Sequence, residues 1–508
     1  MRTYEYSIPP LPSEKFWPKV DYPMDPPPIK KAPGRPKKNR KRDPHEDPKK
    51  PSKLTKHGVV MTCGICGERG HNKRKCTVKD SQNAAEIGRK KASKRGRTTK
   101  IGRPMLYVFT TARICYTDNN ISPSSHENVE VQKLLNSLNK PAVKSIKSPD
   151  GDIIDCVKIS HQPAFDHPLL KNHTIKMRPS YHPNRINVDG IKAMNASTHG
   201  HASSLVTQLW HSNGKCPNGT IPIRRTKKED VLRASSVSSY GKKTSSIAKS
   251  SFVDVELDVH SRHEYAVAST SKGQFYGTKA SLNVWNPYVQ ESNEFSLAQT
   301  WVVGGTYDTG LNTIEAGWQV CQVLYGDTNT RFFIYWTSDA YQKTGCYNLC
   351  SGFIQTNNKY AIGGSFSPTS QMDGTQYEFT ILIWKDPRGG DWWMQLNGEL
   401  IGYWPSVLFT HLRRSASEIQ WGGEIVNRGT HGQHTTTQMG SGRFSREWFG
   451  KASYIRKIET VDAHNTLRTP DIYTGYQQNC YDILSDLDNG GWGRYFFFGG
   501  PGRNKDCQ

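Results

Sequence analysis

The sequence lacks any run of about 18 apolar residues, so it predicts no membrane-spanning helix and no membrane partner. Its first 20 residues have charges and prolines where a secretory signal needs an apolar stretch, so no ordinary signal peptide is visible there.

Acidic residues are scarce in residues 1–104, which hold 10 Asp and Glu against 28 Lys and Arg, while the remainder holds 35 Asp and Glu against 40 Lys and Arg. This local excess fits an arm that binds a polyanion, or a solvated tail.

Residues 1–60 form the predicted arm. They are rich in proline and basic residues and have too little apolar surface to fold alone, which predicts disorder. Within "PGRPKKNRKR", a Gly-Arg-Pro core flanked by basic residues resembles an AT-hook, whose arginine enters an A·T minor groove. A nuclear-localisation run is the alternative. On the first interpretation, the residues expected to contact nucleic acid are Arg35, Lys37 and Lys38.

Residues 61–80 contain "CGICGERGHNKRKC", with the C-x2-C-x4-H-x4-C spacing of a zinc knuckle. The four predicted ligands of a structural Zn²⁺ are Cys63, Cys66, His71 and Cys76. Three thiolates and one imidazole complete a tetrahedron, and the metal would supply most of the folding free energy of so small a module. Basic residues between the last two ligands would face DNA or RNA phosphates: Lys73, Arg74 and Lys75. A degenerate knuckle without metal is the alternative.

The order of these motifs carries a family resemblance. Residues 1 to about 80 resemble the C-terminal tail of plant Mutator-like transposases, in which "PPPIKKAPGRPKKNRKR" precedes "CGICGERGHNKRKC". The resemblance, like the basic arm, suggests a nuclear location. Residues 81–127 follow as a second basic linker.

Residues 128–250 begin with "VEVQKLLNSLNK", in which apolar residues recur at helical spacing and predict one amphipathic helix. Residues 254–508 instead show period-two alternation between turn residues, as in "YEFTILIW" and "RFFIYW". The fold class predicted for this half is all-β, an antiparallel β-sandwich or barrel.

Two glutamates lie on polar strand faces beside glycine. In "NTIEAGWQV", Glu315 shares a face with a glycine and a glutamine, and in "EIQWGGEIV", Glu424 does the same. Such faces leave room for an extended peptide, and two carboxylates meeting across them could act as general acid and general base. From alternation alone, two ordinary solvent-facing glutamates are the alternative.

The second half resembles the neprosin family of glutamic endopeptidases. "IEAGWQV", "TRFFIYWTSDAYQKTGCYNL", "WGGEIVN" and "GRYFFFGGPGRNKDC" carry this resemblance, while "KSPDGDIIDCV" and "QPAFDHPLL" resemble the family's activation peptide. The resemblance implies two stacked antiparallel sheets, a covering pro-segment at 128–250, and cleavage of proline-containing peptides at acid pH by Glu315 and Glu424 without a catalytic cofactor. It also implies three disulfides: Cys156–Cys216, Cys346–Cys350 and Cys480–Cys507.

Two other functions stay open. The chain could be an inactive chimera that acts as a zinc-dependent nucleic-acid-binding protein. Alternatively, tryptophans such as Trp392, Trp393 and Trp404 could stack sugar rings in a carbohydrate-binding β-sandwich, although large β cores also need aromatic residues. The two halves favour different locations, because disulfides require an oxidising compartment whereas the knuckle needs free thiolates. The catalytic half suggests secretion.

Overall fold

The computed structural model describes residues 125–185, 204–243, 263–348, 351–429, 432–475, 479–486 and 490–508. The predicted basic arm and the zinc knuckle lie outside these residues, together with the AT-hook-like and knuckle residues proposed to contact nucleic acid. In the part of the chain that is described, no helix is long and apolar enough to cross a membrane.

The first described region, residues 125–243, is called here the activation segment. Its longest helix buries Val131 and Leu135 against Val231, which confirms the predicted amphipathic helix. The elements of this region are α1 (Ser125–Leu138), β1 (Ala142–Lys147), β2 (Ile153–Lys158), β3 (Asn184–Arg185), β4 (Ser204–Leu205), β5 (Thr207–Gln208), β6 (Thr220–Arg224) and α2 (Lys228–Leu232).

A small antiparallel sheet in the order β1-β2-β6 forms the body of the activation segment. The Cys156–Cys216 disulfide is buried against Trp210 beside this sheet. Three short strands outside this sheet pair with strands of the second region: β3 with β19 (Thr466–Arg468), β4 with β14 (Tyr377–Lys385), and β5 with β13 (Phe366–Ser367). The activation segment is therefore joined to its neighbour through backbone hydrogen bonds as well as side chains.

The second region, residues 263–508, is built from strands. They are β7 (His263–Ser269), β8 (Gly277–Asn283), β9 (Ser296–Gly304), β10 (Asn312–Val320), β11 (Arg331–Thr337), β12 (Ile354–Gln355), β13 (Phe366–Ser367), β14 (Tyr377–Lys385), β15 (Trp392–Leu396), β16 (Glu399–Trp404), β17 (Glu418–Val426), β18 (Ser453–Val461), β19 (Thr466–Arg468), β20 (Tyr473–Thr474), β21 (Asp482–Asp486) and β22 (Tyr495–Gly499). A short helix, α3 (Gln322–Tyr325), follows β10.

Among the described residues, these strands form two large sheets. The first has the order β11-β10-β9-β17-β7-β20, and the second has the order β12-β16-β15-β14-β8-β18-β19-β3, with β21 and β22 alongside β18. Neighbouring strands of the second region run antiparallel. The predicted all-β class with a β-sandwich is confirmed.

The inner faces of the two sheets share one apolar core. Ile314 and Trp318 of the first sheet belong to the same buried cluster as Phe379 of the second. Polar contacts also cross the interface, since the Trp318 indole donates to the carbonyl of Asn283 at 2.8 Å. The alternation in "NTIEAGWQV" thus assigned the strand faces correctly, and Glu315 lies on the face turned away from this core.

Candidate active site

Both candidate glutamates lie on the outer face of the first sheet, on strands that are not direct neighbours. Glu315 is on β10 and Glu424 is on β17, and β9 pairs with both strands between them. Gln299 of β9 lies in the gap between them, and its Nε2 donates to Glu424 Oε2 at 3.2 Å. Neither glutamate faces solvent: Glu315 is 0% exposed and Glu424 is 1% exposed.

A lysine of the activation segment bridges the two carboxylates. Lys243 Nζ lies 2.6 Å from Glu315 Oε2 and 3.9 Å from Glu424 Oε2. Burial alone would lower the pKa of Lys243, but the charges of Glu315 and Glu424 raise it above its ordinary value. One ammonium is therefore shared by the two buried carboxylates and occupies the space between them.

Glu315 is also held by two hydroxyl groups of its own region. Thr313 Oγ1 and Tyr341 OH each donate to Glu315 Oε1 at 2.8 Å. Tyr341 follows Ala340, and both residues have left-handed backbone conformations, with φ of 61° and 55°. This tight turn after β11 orients the Tyr341 phenol toward the Glu315 carboxylate.

Glu424 has a different set of donors. His263 Nδ1 lies 2.7 Å from its Oε1, and Tyr265 also hydrogen-bonds to it. Burial alone would raise the pKa of Glu424, but the charge of Lys243 and the His263 hydrogen bond outweigh it, so that pKa is lower than usual. This carboxyl is accordingly ionised while Lys243 is in place.

Tyrosines surround the charged pair. The Lys243 ammonium lies 5.2, 5.5 and 5.9 Å from the ring centroids of Tyr335, Tyr341 and Tyr347, within cation–π range. Burial, followed by the charges of the glutamates, raises the pKa of Tyr265 and Tyr341 well above the ordinary value. These phenols stay protonated and can donate hydrogen bonds to a carboxylate or to a developing oxyanion.

Glycines on the two glutamate strands flank Gln299. Gly317 and Gly422 are both register partners of Gln299 on β9. A Cβ at Gly317 would lie 2.0 Å from the carbonyl oxygen of Ala298 and 2.7 Å from the Cβ of Gln299. The glycine predicted to keep this face open is thus needed to seat the neighbouring glutamine.

Sequence reasoning missed several residues that contact the pair. Lys243 lies in the polar stretch "SSYGKKTSS" and has no pattern that marks it, while His263 and Gln299 read as ordinary strand residues. Lys243 and His263 are the described residues on either side of positions 244–262. Lys243 contacts Glu315, and His263 contacts Glu424. Their convergence arises only in the folded chain.

Two of the three predicted cysteine pairs are disulfides in the described part of the chain. Cys156–Cys216 and Cys480–Cys507 are bonded as expected. Cys346 is disulfide-bonded, and its predicted partner Cys350 lies outside the described residues.

Among the described residues, the cluster of potential metal ligands is His434, Cys480 and Cys507. Its two sulfurs form the disulfide, so it offers no thiolate to a metal. The knuckle ligands Cys63, Cys66, His71 and Cys76 are outside the described part of the chain.

The tryptophans considered as a sugar-stacking surface are buried. Trp392, Trp393 and Trp404 are each 0% exposed and belong to the apolar cluster of the sandwich. They pack as core residues in this form of the chain, as large β cores require.

Two protein-family models match this chain, and their boundaries separate Lys243 from the two glutamates. Residues 145–269 match the family model described as neprosin activation peptide, and residues 292–501 match the model described as neprosin. The chain carries both neprosin domains. Glu315 and Glu424 lie in the neprosin domain, whereas Lys243 lies in the activation-peptide domain.

Solved structures with related topology are only distantly similar. Two crystal structures of scytalido-glutamic peptidase, each with a transition state analog, match 46% of this chain and 96% of theirs, at 12% and 10% identity and TM-scores of 0.26 and 0.25. CG-16, a homodimeric agglutinin from chicken liver, matches 34% of this chain and 98% of its own, at 10% identity and a TM-score of 0.18. Scores of this size do not bear on the function of the neprosin domain.

Proposed function

We propose that this chain is the latent precursor of a glutamic endopeptidase of neprosin type, with Glu315 and Glu424 as its catalytic pair. The observation that carries the proposal is the pair itself: two buried carboxylates share one ammonium in a cage of hydroxyl and amide donors. A purely structural pair of glutamates would be costly there, because buried charges destabilise a fold unless they are fully compensated. The neprosin domain supports the assignment to peptidases.

The chemistry requires that the two carboxyls divide the work. With Lys243 gone, Glu424 keeps His263 and Gln299 as hydrogen-bond partners, which favours its ionised form as the general base that activates water. Glu315 then acts as the protonated partner, which stabilises the oxyanion and protonates the leaving amine. Carboxyls placed this close do not ionise together cheaply, so the pair suits acid pH.

Latency follows from the position of Lys243. Its ammonium occupies the space between the carboxylates where a substrate carbonyl and a water would have to sit. A cut between Lys243 and His263 would allow the activation segment to leave while His263 stays beside Glu424. We expect the intact precursor to be inactive toward peptides until that segment is released.

The test uses the full-length chain, treated at acid pH and offered proline-containing peptides, which the neprosin resemblance implies as substrates. Glu315→Gln and Glu424→Gln keep the shape of each side chain but remove an ionisable group. Each should lower kcat by about 10²–10⁴-fold or more, and wild-type turnover should fall as the pH rises toward neutrality. Cleavage sites are read by mass spectrometry.

Glu418→Gln is the matched control. Glu418 is a buried glutamate on the same strand as Glu424, but it pairs with Lys272 instead of Lys243. Its variant should keep most of the activity. Full activity in both Glu315→Gln and Glu424→Gln would show that the catalytic pair has been wrongly assigned, and cleavage without regard to proline would remove the proposed specificity.

The N-terminal segment carries a separate proposal: Cys63, Cys66, His71 and Cys76 bind one structural Zn²⁺, and the basic residues around them bind DNA or RNA weakly and with little sequence preference. The spacing of the ligands and the local charge support it. Zinc content of the full chain should fall by one equivalent in Cys76→Ala, with Cys115→Ala as the control. Nucleic-acid affinity should decrease steeply with salt. An unchanged zinc content in Cys76→Ala would refute this site.

A further inference from the structure

The turn that joins β1 and β2 places the carboxylates of Asp150 and Asp152 against residues of the neprosin domain. These contacts are separate from those of Lys243. The turn is closed by a hydrogen bond from the Ser148 amide to the Asp152 carbonyl at 2.8 Å, and Gly151 takes a φ of 84° at its apex. Asp152 Oδ2 accepts a hydrogen bond from Arg331 Nη1 at 2.6 Å. Asp150 Oδ2 accepts one from Ser365 Oγ at 2.5 Å.

Arg331 is held in place mainly by its own domain. Asp327 Oδ1 accepts from its Nε at 3.2 Å, and the carbonyl of Gly363 accepts from its Nη1 at 2.8 Å. The ring of Tyr325 lies beneath the guanidinium, with 5.0 Å between its centroid and Cζ. Arg331 is 0% exposed in the precursor. Loss of the hairpin tip would therefore uncover a pre-positioned guanidinium that has lost an acidic partner.

The position of Arg331 relates it to the catalytic pair. On β11 it lies on the same face as Tyr335, which is the register partner of Glu315, while Arg331 itself is the register partner of Gln319. Leu297 of β9 pairs with both Gln319 and Glu424, so Arg331 lies at the level of Glu424 and four residues, or roughly 13 Å along an extended strand, from the level of Glu315. An extended peptide that runs along β10 and is cleaved between the glutamates would bring a side chain within about four residues of the scissile bond to the level of Arg331.

Other groups on this face suit a bound peptide backbone. Among the described residues, the buried Oε1 atoms of Gln299, Gln319 and Gln420 have no hydrogen-bond donor. Buried carbonyl groups normally have a partner, so these three acceptors are available to the amide groups of a chain that enters the cleft. Gln420 lies at the level of Glu315, Gln319 lies at the level of Arg331, and Gln299 lies between these two levels.

We propose that Arg331 and Ser365 form a carboxylate-binding subsite of the activated enzyme, within about four residues of the scissile bond, and that Asp150 and Asp152 fill it in the precursor. The inference rests on the proposed peptidase function. Its ligand is a substrate carboxylate, either an acidic side chain or a free C-terminus. Arg331 Nη1, which donates to Asp152 in the precursor, would donate a charge-assisted hydrogen bond to this ligand, and Ser365 Oγ would donate a second one.

The experiment uses acid-activated full-length protein and a peptide series with one proline cleavage site. Glu replaces Gln at each position within five residues on either side, and kcat/KM is measured near pH 5, where a free glutamate side chain is mostly ionised. At one position, Glu should be preferred about tenfold, as expected for a charged hydrogen bond. Peptides with free and amidated C-termini distinguish the two sources of the carboxylate.

The variants test the assignment. Arg331→Gln should bring the Glu-to-Gln ratio to about one, and Ser365→Ala should lower it partly. Arg468→Gln is the matched control, because Arg468 is a half-exposed arginine paired with Asp462 elsewhere in the domain, and it should keep the wild-type ratio. If Arg331→Gln does not fold, Ser365→Ala decides.

Two outcomes overturn the subsite while leaving the peptidase function intact. One is a wild-type enzyme that cleaves the series with no preference for a carboxylate at any position. The other is a preference that survives unchanged in Arg331→Gln, or in Ser365→Ala where the first variant does not fold. Failure of the wild-type enzyme to cleave any peptide would instead overturn both the proposed function and the subsite that rests on it.

Discussion

The activation segment and the sandwich are stabilised in different ways. The sandwich has a large apolar core in which tryptophans and aliphatic residues of two sheets interdigitate. The activation segment has only small apolar clusters of its own and adds Ala164, Leu170 and Val206 to the sandwich core. It also holds the sandwich through ion pairs such as Lys243–Glu315 and Asp152–Arg331. Apolar burial changes little with pH, whereas ion pairs depend on the charge of each partner. We therefore expect a stable sandwich under a cover that acid can loosen.

The largest expected effect comes from removing the charge of Lys243. Lys243→Met leaves two buried carboxylates without their cation, and breaking a buried ion pair costs about 3–5 kcal/mol. The hold of the activation segment should weaken roughly a hundredfold or more, so that the segment detaches from the active site at neutral pH and separates from the sandwich once the chain is cut between Lys243 and His263. Size-exclusion chromatography and peptide turnover at pH 7 measure this.

Lys176→Met is the matched control for that variant. Lys176 also joins the activation segment to a carboxylate of the sandwich, Asp391, but its side chain is 41% exposed. An exposed pair contributes less than about 1 kcal/mol, so this variant should remain latent. Equal effects of the two substitutions would contradict the distinction between a buried bridge and a surface contact.

The second prediction concerns the two described disulfides. Cys156–Cys216 closes 60 residues within the activation segment, and Cys480–Cys507 closes 27 near the end of the sandwich. Loop-closure entropy gives about 4 and about 3.5 kcal/mol respectively. Because the segment has little core of its own, replacing Cys156 and Cys216 with Ser should unfold the β1-β2-β6 sheet.

Hydrogen exchange followed by mass spectrometry distinguishes the two regions. In the Cys156 and Cys216 double variant, protection should be lost in the activation segment but retained in β9 and β10. In the Cys480 and Cys507 double variant, the sandwich core should stay protected and the loss should be confined to the C-terminal strands. Loss of protection throughout the sandwich in either variant would remove the proposed independence of the two regions.

The third prediction is that acid weakens the grip of the activation segment. Burial lowers the pKa of His173 below 6.5, and the pKa of Glu424 is held below 4.5 while Lys243 is bound. Both folded-state pKa values are depressed, so the stability they contribute is present above the ordinary pKa and is lost as pH falls through the folded value. Release should therefore increase progressively below about pH 6.5.

The His173→Gln variant tests whether protonation of His173 promotes release of the activation segment as the pH falls. Glutamine can still hydrogen-bond to Tyr403, which His173 contacts at 2.8 Å, but it does not titrate. The pH midpoint of release should move to lower values, as followed by light scattering or tryptophan fluorescence. His161→Gln, at an exposed site in the same segment, should leave the midpoint unchanged. A midpoint that rises in His173→Gln would contradict the assigned direction.

The smallest expected effect concerns Cys321, a buried free thiol beside Tyr240 of the activation segment. Burial raises the pKa of this thiol to about 11, so little reactive thiolate is present near neutrality. A maleimide should label Cys321 slowly in the precursor and faster after the segment leaves, without a change in stability. Peptide mapping identifies the labelled residue. Equal labelling rates in both forms would mean that the segment does not shield this site.

Much of the architecture could be predicted from the sequence. Period-two alternation in "NTIEAGWQV" assigned the faces of β10, because strand geometry turns successive side chains to opposite sides. Helical spacing predicted the buried side of α1 for the same kind of reason. The candidate catalytic pair came from family resemblance, because alternation alone favoured two solvent-facing glutamates. The burial of Glu315 excludes that alternative.

Local patterns by themselves determined the strand faces, one helix, the uneven charge of the chain and the zinc-knuckle spacing, since these depend on neighbouring residues. The tertiary structure decided which distant groups meet. Lys243 reaches Glu315 across 72 positions, and Asp152 reaches Arg331 across 179. No local periodicity marks such pairs, because they form only when the activation segment packs on the sheet and removes both charges from water. That desolvation makes each contact strong, selective and sensitive to pH.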